Sequence, residues 1–300
     1  MKAMRIPRQS RGVTLIELMI SLVIGLVVVG AVMVSFIGSG RAGRYQAALG
    51  QMNQDAQVGL NLLAREIQMA GYVSPGNTLG VPAIFACDAT KGTVPFTNPT
   101  ATTANLNCNA WSAPSVSALE VVYEADLATT VPRVVSSVSY PTDCLGDRLP
   151  LTGSIYIARN RFYLKPNATT NRNELHCTSN TGFTPQPLIE NVDDMQLWFG
   201  ISVPAASDTV VRFARAGKDA STPDTVNAIG ATEWSNVNSV RICLLMRSAE
   251  DILTSEDKDT AGNQTYVDCN SNTVPYPVGD LHLRRAYFTT AMVRTKMTLY

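Results

Sequence analysis

The chain has 300 residues, 45% hydrophobic and 16% charged, with 24 basic residues against 24 acidic ones. That length is enough for one moderate domain or two small ones. Lys2, Arg5, Arg8 and Arg11 all precede the first hydrophobic run, so the chain beyond residue 12 holds 20 basic against 24 acidic residues; a mildly acidic body without clustered Lys and Arg argues against nucleic-acid binding.

The first element in chain order is the run Leu15 to Ile37, in which only Glu17, Ser21 and Ser35 are conspicuously polar. As a helix at about 1.5 Å per residue it spans roughly 34 Å, enough to cross a bilayer. The four basic residues before it place the N-terminus in the cytoplasm by the positive-inside rule, and the rest of the chain on the far side. An ordinary secretory signal and a plain single-pass anchor are the rivals. The apolar stretch exceeds a usual signal core, and no clean small-x-small site ends it, although Ser39, Gly40, Ala42 and Gly43 are small. Neither rival accounts for Glu17, since a carboxylate in a membrane helix costs roughly 2.5–3.5 kcal/mol at mid-bilayer. Cleavage after Gly12 supplies a partner. The new amine of Val13 then lies four residues before Glu17 on the same helix face.

Past Gly43 the pattern turns amphipathic. Tyr45, Leu49, Met52, Ala56, Leu60, Leu63, Ile67 and Ala70 recur at spacings of three and four and form one apolar stripe, with Arg65 and Glu66 among the residues off it. Gly71 suits a C-cap, and Ser74-Pro75-Gly76 marks the stop. One helix over about 13–70 is expected. Its second half packs on a globular head and its first half stays bare for lipid or neighbouring subunits.

Beyond Tyr72 the text reads as β-structure: 118–123, 134–140, a hairpin of 154–158 and 161–164 turning at Arg159-Asn160, 194–200, 237–246, and a last strand within 281–297. Polar loops are expected at 87–115, 202–232 and 254–280. Together the elements predict an α+β fold, a long N-terminal helix packed on a mostly antiparallel sheet. The domain reading is a leader at 1–12, a helix at 13–71 with 15–37 in the membrane, and a β-rich head at 72–300.

Cys87, Cys108, Cys144, Cys177, Cys243 and Cys269 all lie beyond the membrane segment, and none has CxxC spacing. An even count on the oxidising side of a membrane reads as disulfides, with 15 connectivities open. Pairing of sequence neighbours, Cys87 with Cys108, Cys144 with Cys177 and Cys243 with Cys269, is favoured. Each such loop restrains the unfolded chain by roughly 3 kcal/mol.

Catalytic patterns are scarce. The two histidines, His176 and His282, lie in no nucleophile or zinc motif, and no GxSxG, HExxH or P-loop occurs. Asp193-Asp194 reads as a turn before a strand. Asp257, Asp259 and Asp268, with Gly262, fall at calcium-loop positions, but Ala261 breaks the pattern and a solvated loop is the plainer reading. No enzyme activity, cofactor or metal is expected.

Arg11-Gly12-Val13-Thr14-Leu15-Ile16-Glu17-Leu18 resembles the prepilin peptidase recognition sequence of type IV pilins and type II secretion pseudopilins. The resemblance implies cleavage between Gly12 and Val13, N-methylation of Val13, and an assembly role for Glu17. Val13 stands where the family usually has Phe. Major pilins commonly carry a proline in mid-helix, and this chain has none between residues 8 and 74, which is similar to minor pilins and pseudopilins. In the head, 188–200, 240–248 and 283–294 resemble, in order, three segments of PilW-type minor pilins. The resemblance implies a minor pilin that primes a type IV pilus and sits at its tip, with other minor pilins, the major pilin, prepilin peptidase and the inner-membrane assembly platform as partners. It also implies a single-pass inner-membrane protein with a periplasmic head that later joins the surface filament. A J-type pseudopilin of type II secretion and a pilus-tip adhesin are the alternatives.

Overall fold

The computed structural model describes residues 12–89, 116–181, 184–202, 209–216, 229, 233–254 and 264–294, leaving aside the side chains of 87–89, 116 and 117. The chain forms two compact units, Met1–Leu49 and Gly50–Tyr300. Helix α1 (Leu15–Met69) belongs in part to each.

In the first unit, Thr14 caps α1. Its carbonyl accepts from Leu18 N–H at 3.1 Å and its hydroxyl from Glu17 N–H at 3.3 Å. Thr14 and Glu17 thus hold the first and last positions of a T-x-x-E capping box. The large apolar side chains from Val13 to Ile37 are all exposed, and the helix is long and apolar enough to cross a membrane.

In the second unit, α1 buries Met52, Ala56, Gly59, Leu60, Leu63 and Ile67. Tyr45 and Leu49, predicted on the same stripe, are exposed and half-buried. Gly71 ends the helix at φ +77°, and its N–H goes to Val122 O at 2.9 Å, so the cap is welded to the sheet.

Among the described residues there are fourteen strands: β1 (Ile84–Ala89), β2 (Val116–Ala125), β3 (Arg133–Val135), β4 (Val138–Tyr140), β5 (Leu151–Thr152), β6 (Ile155–Pro166), β7 (Asn173–Ser179), β8 (Gln186–Ile189), β9 (Val192–Ser202), β10 (Val210–Ala214), β11 (Val237–Asp251), β12 (Thr265–Val267), β13 (Thr273–Pro275) and β14 (His282–Met292). A six-stranded antiparallel sheet runs β1-β2-β6-β7-β8 with β5 on β6, and a four-stranded one runs β10-β9-β11-β14. Hairpins β3-β4 and β12-β13 stand apart. The chain passes from the first sheet to the second at Asn191, whose φ of +57° lies in the left-handed region that Asn tolerates. Trp234 bridges the sheets, 5.0 Å from the Phe85 ring on β1 and 5.2 Å from Phe199 on β9. Helix α1 crosses both. A Cβ on Gly59 would meet Leu244 of β11 at 3.0 Å and Ile189 of β8 at 3.3 Å.

Four local expectations are corrected. The hairpin turn at Arg159-Asn160 is the middle of β6. Both residues are buried, Arg159 against Glu120 and Asn160 against Glu66, so their polarity signals partners inside the fold and not a turn. The true turn follows Pro166, where Asn167 Oδ1 accepts from Thr169 and Thr170 N–H. The run 134–140 is two strands, reversed at Ser136 and Ser137 with φ of +50° and +66°. Asp193-Asp194 lies within β9, where Asp193 pairs with Arg284. The expected loops at 202–232 and 254–280 contain β10, a five-residue edge strand, and the separate β12-β13 hairpin of three-residue strands, runs too short to carry a period of their own.

Candidate functional site

The N-terminal element is built from position 12 upward. Gly12 and Val13 precede the helix, exposed and outside secondary structure, so the peptide between them is open to attack. Glu17 stands in the first turn, where its negative charge meets the positive end of the helix dipole. Ser21 Oγ donates to Glu17 O at 2.7 Å, which satisfies that hydroxyl within the helix. The capping role of Thr14 is legible in the sequence as a T-x-x-E spacing.

In the head, the segment 188–200 begins at the end of β8 and continues as β9, and 240–248 and 283–294 lie in β11 and β14, so that β9, β11 and β14 are adjacent strands with β11 in the centre. Their polar ends converge. Arg284 Nε donates to Asp193 Oδ2 at 2.5 Å and its NH2 to Asp280 Oδ2 at 2.6 Å. The same guanidinium lies 5.2 Å and 5.3 Å from the rings of Tyr266 on β12 and Tyr276 beyond β13. Arg247 reaches His282 Nδ1 at 2.9 Å and Asp280 at 3.6 Å, and Arg172 reaches His282 Nε2 at 3.1 Å. Burial by itself would push the Asp280 carboxyl up. The hydrogen bonds from Arg284 and from the backbone and ring of His282 outweigh it and hold the group down at about 2. Asp251, Asp280 and His282 have oxygen and nitrogen atoms close enough to share a cation. The guanidiniums of Arg247 and Arg172 already meet His282 and that of Arg284 meets Asp280, while Asp251 is exposed and pairs with His282, so the cluster works as an ionic clasp joining the three strands to the β12-β13 hairpin.

Disulfides reinforce the same body. Cys144 joins Cys177 with Cα atoms 6.6 Å apart, and Cys243 joins Cys269 at 5.8 Å. The first ties the turn after β4 to β7, and the second ties β11 to the end of the β12-β13 hairpin. Cys108 and the side chain of Cys87 lie outside the described residues, as do Asp257 and Asp259 of the calcium-loop pattern. Asp268, the third acid of that pattern, closes the β12-β13 turn, with Oδ1 accepting from Asn270 and Asn272 N–H at 2.9 Å and 2.7 Å. His176 is on β7, not in a polar loop. It is buried, its Nε2 is 3.1 Å from Glu174, and burial pushes its imidazole pKa down, partly offset by that carboxylate.

A second polar centre lies under α1. Glu66, which the sequence places off the apolar stripe, turns toward the six-stranded sheet. Asn160 Nδ2 donates to its Oε2 at 2.9 Å and also reaches Tyr123 Oη at 3.3 Å, while Cys144 N–H donates to Asn160 Oδ1 at 3.2 Å. Burial pushes the Glu66 carboxyl up to about 7 against the lowering effect of Asn160 and the Arg65 charge, and Asp143 adds to the rise.

Comparison with known proteins follows the same division of the chain. The family described as Type IV Pilus-assembly protein W matches residues 161–295, which contain the three clasped strands, and the Prokaryotic N-terminal methylation motif matches residues 7–33. Among solved structures the chain is similar to a type IV-like pilin, TTHA1219 from Thermus thermophilus, at 10% identity, covering 85% of this chain and 98% of that one with a TM-score of 0.40. No curated protein sequence matches the chain.

Proposed function

We propose, from the premise that this chain is a minor pilin of the PilW type, that it primes assembly of a type IV pilus and remains at the filament tip. The observation that carries the reading is the N-terminal arrangement. An acid in the first turn of α1 opens a helix whose large apolar side chains from Val13 to Ile37 are all exposed. Such a surface is stable only in lipid or against other apolar helices, because each exposed apolar side chain costs roughly 1.5–3 kcal/mol in water relative to burial.

In this reading residues 1–12 are removed as a leader, and Val13 becomes the N-methylated first residue of the subunit. Residues 15–37 of the helix at 13–71 anchor it in the inner membrane, with the head at 72–300 on the periplasmic side. Glu17 then pairs with an N-terminal amine, its own or that of a neighbouring subunit, as lipid contacts are exchanged for helix contacts. The charge of the acid supplies direction. An unpaired carboxylate in hydrocarbon is costly, and a positive terminus four residues away removes the cost without adding bulk. The partners are other minor pilins, the major pilin, prepilin peptidase and the assembly platform. A large head cross-linked by disulfides and an ionic clasp is awkward to repeat along a shaft, which favours the end of the filament.

Mass spectrometry of the native N-terminus tests the processing step. Methylated Val13 as the first residue is the expected result, and an intact Met1 or a start near residue 40 overturns it. Gold labelling of the head on sheared filaments tests position: label confined to filament ends supports the tip, and label along the shaft refutes it. A deletion strain that still makes normal numbers of filaments refutes priming.

A further inference from the structure

Between α1 and the turns of the head lies a cavity of about 470 Å³ that no step of assembly uses. We propose that it is a binding site for the ammonium end of an unbranched alkyl chain, carried by a free primary amine or by a lysine of a neighbouring subunit.

The lining sets the chemistry. Leu62 and Met69 of α1 and Val131 form apolar walls, and Glu66 and Tyr123 are the polar groups between them. The other carboxylate that faces the space is already spent. Asp143 Oδ1 accepts from Leu145 and Asp147 N–H at 2.8 Å and 2.9 Å, and its Oδ2 accepts from Ser179 and Thr181. Thr130 Oγ1 donates to Asp126 O at 2.9 Å, and Thr142 Oγ1 to Val131 O at 2.7 Å. A divalent cation would therefore find one available carboxylate, too few for its oxygen shell. A guanidinium prefers two parallel carboxylate oxygens, and Asn160 already occupies Glu66 Oε2. A methylene stem ending in a compact positive point fits an apolar passage that leads to one carboxylate.

Glu66 is held by neutral donors, Asn160 and Tyr123, and makes no ion pair within 4 Å among the described residues. The charged groups facing it are Arg65 on its own helix and Asp143 on the turn beyond β4; Tyr123 on β2 and Asn160 on β6 are neutral. Arg65 is exposed and opposes an entering cation from the rim, whereas Asp143 favours it. An arriving ammonium supplies the missing countercharge and draws the proton off Glu66, so occupancy rises with pH through the neutral range. The wall carrying Cys144 is fixed by its disulfide to Cys177, which keeps the cavity formed without ligand.

The test uses the full chain in detergent micelles, so its outcome is independent of pilus assembly. Thermal unfolding is followed with n-butylammonium chloride against sodium chloride at equal ionic strength, in wild type and Glu66→Gln. The expected result is a Tm raised above the sodium control, more at about pH 8 than at about pH 6, and absent in Glu66→Gln. A second arm treats native membranes with a carbodiimide, which joins a carboxyl to an amine as an amide and itself takes up the water lost. A Glu66–lysine cross-linked peptide identifies the neighbouring subunit as the source. A Tm shift without that peptide identifies a free amine. A shift of equal size in Glu66→Gln, or neither a shift nor a cross-link, overturns the proposal.

Discussion

At the residue scale, a few side chains carry effects out of proportion to their number. The pKa of Glu66 is about 7 in the folded head against 4.5 for an unburied glutamate. The folded state therefore holds a proton that the unfolded state has lost between those values, and stability falls as pH rises from about 4.5 to about 7, by about 3 kcal/mol in total. Glu66→Gln keeps the Asn160 partner and removes the titration, so denaturant unfolding of the variant shows a flatter pH profile and a more stable head at neutral pH. Gly59 acts through space. Its missing side chain lets α1 approach β8 and β11 together, where an added Cβ would press on Leu244 and Ile189. Gly59→Val overfills that contact and lowers stability by about 1–3 kcal/mol, measured as a reduced midpoint at unchanged m-value. Sequence shows Gly59 only as a helix glycine and Glu66 only as a polar residue near the apolar stripe, because the neighbours that give each its meaning lie far along the chain, 94 residues away at Asn160 for Glu66 and farther still at Ile189 and Leu244 for Gly59.

At the element scale, the clasp around Arg284 holds three strands and a hairpin together. Removing its charge by Arg284→Met leaves Asp193 without its cation and Asp280 with only the more distant Arg247 at 3.6 Å, in a half-buried setting, at a cost of about 3–5 kcal/mol. The pH response differs from that of Glu66. Asp280 sits at about 2 in the folded state against 3.8 unfolded, so its contribution is complete above about 4 and is lost as pH falls toward 2. Acid unfolding of wild type therefore steepens between those values, and Asp280→Asn removes the steepening; an unchanged acid profile in that variant counts against the clasp. The strands of this sheet were readable because long alternating or apolar runs such as 194–200 and 237–246 carry their own period. β7 and β10 were not, since β7 is short and polar and owes its position to pairing with β6, and β10 is an edge strand. The false turn at Arg159-Asn160 has the same origin. Turn-type residues in mid-strand signal burial when Glu120 and Glu66 are there to receive them.

At the scale of the whole molecule, two chemistries share one helix. From Val13 to Ile37 the large apolar side chains are exposed, and from Met52 onward the apolar stripe of α1 is buried in the head. Glu17→Leu separates membrane insertion from assembly: the variant partitions into membranes as well as wild type, while sheared filaments are lost. Normal filament yield from that variant refutes the pairing role of the acid. The sequence by itself determined the N-terminal processing motif, the bare helix and the α+β class, because cleavage signals and hydropathy are local and need no neighbour to be read. Tertiary structure alone decided which polar residues are structural. Arg284, Asp280, Asn160 and Glu66 are surface-type residues in any window of the chain. They become a clasp and a polar seam only where antiparallel pairing and helix packing withdraw them from water and leave each other as the available partners.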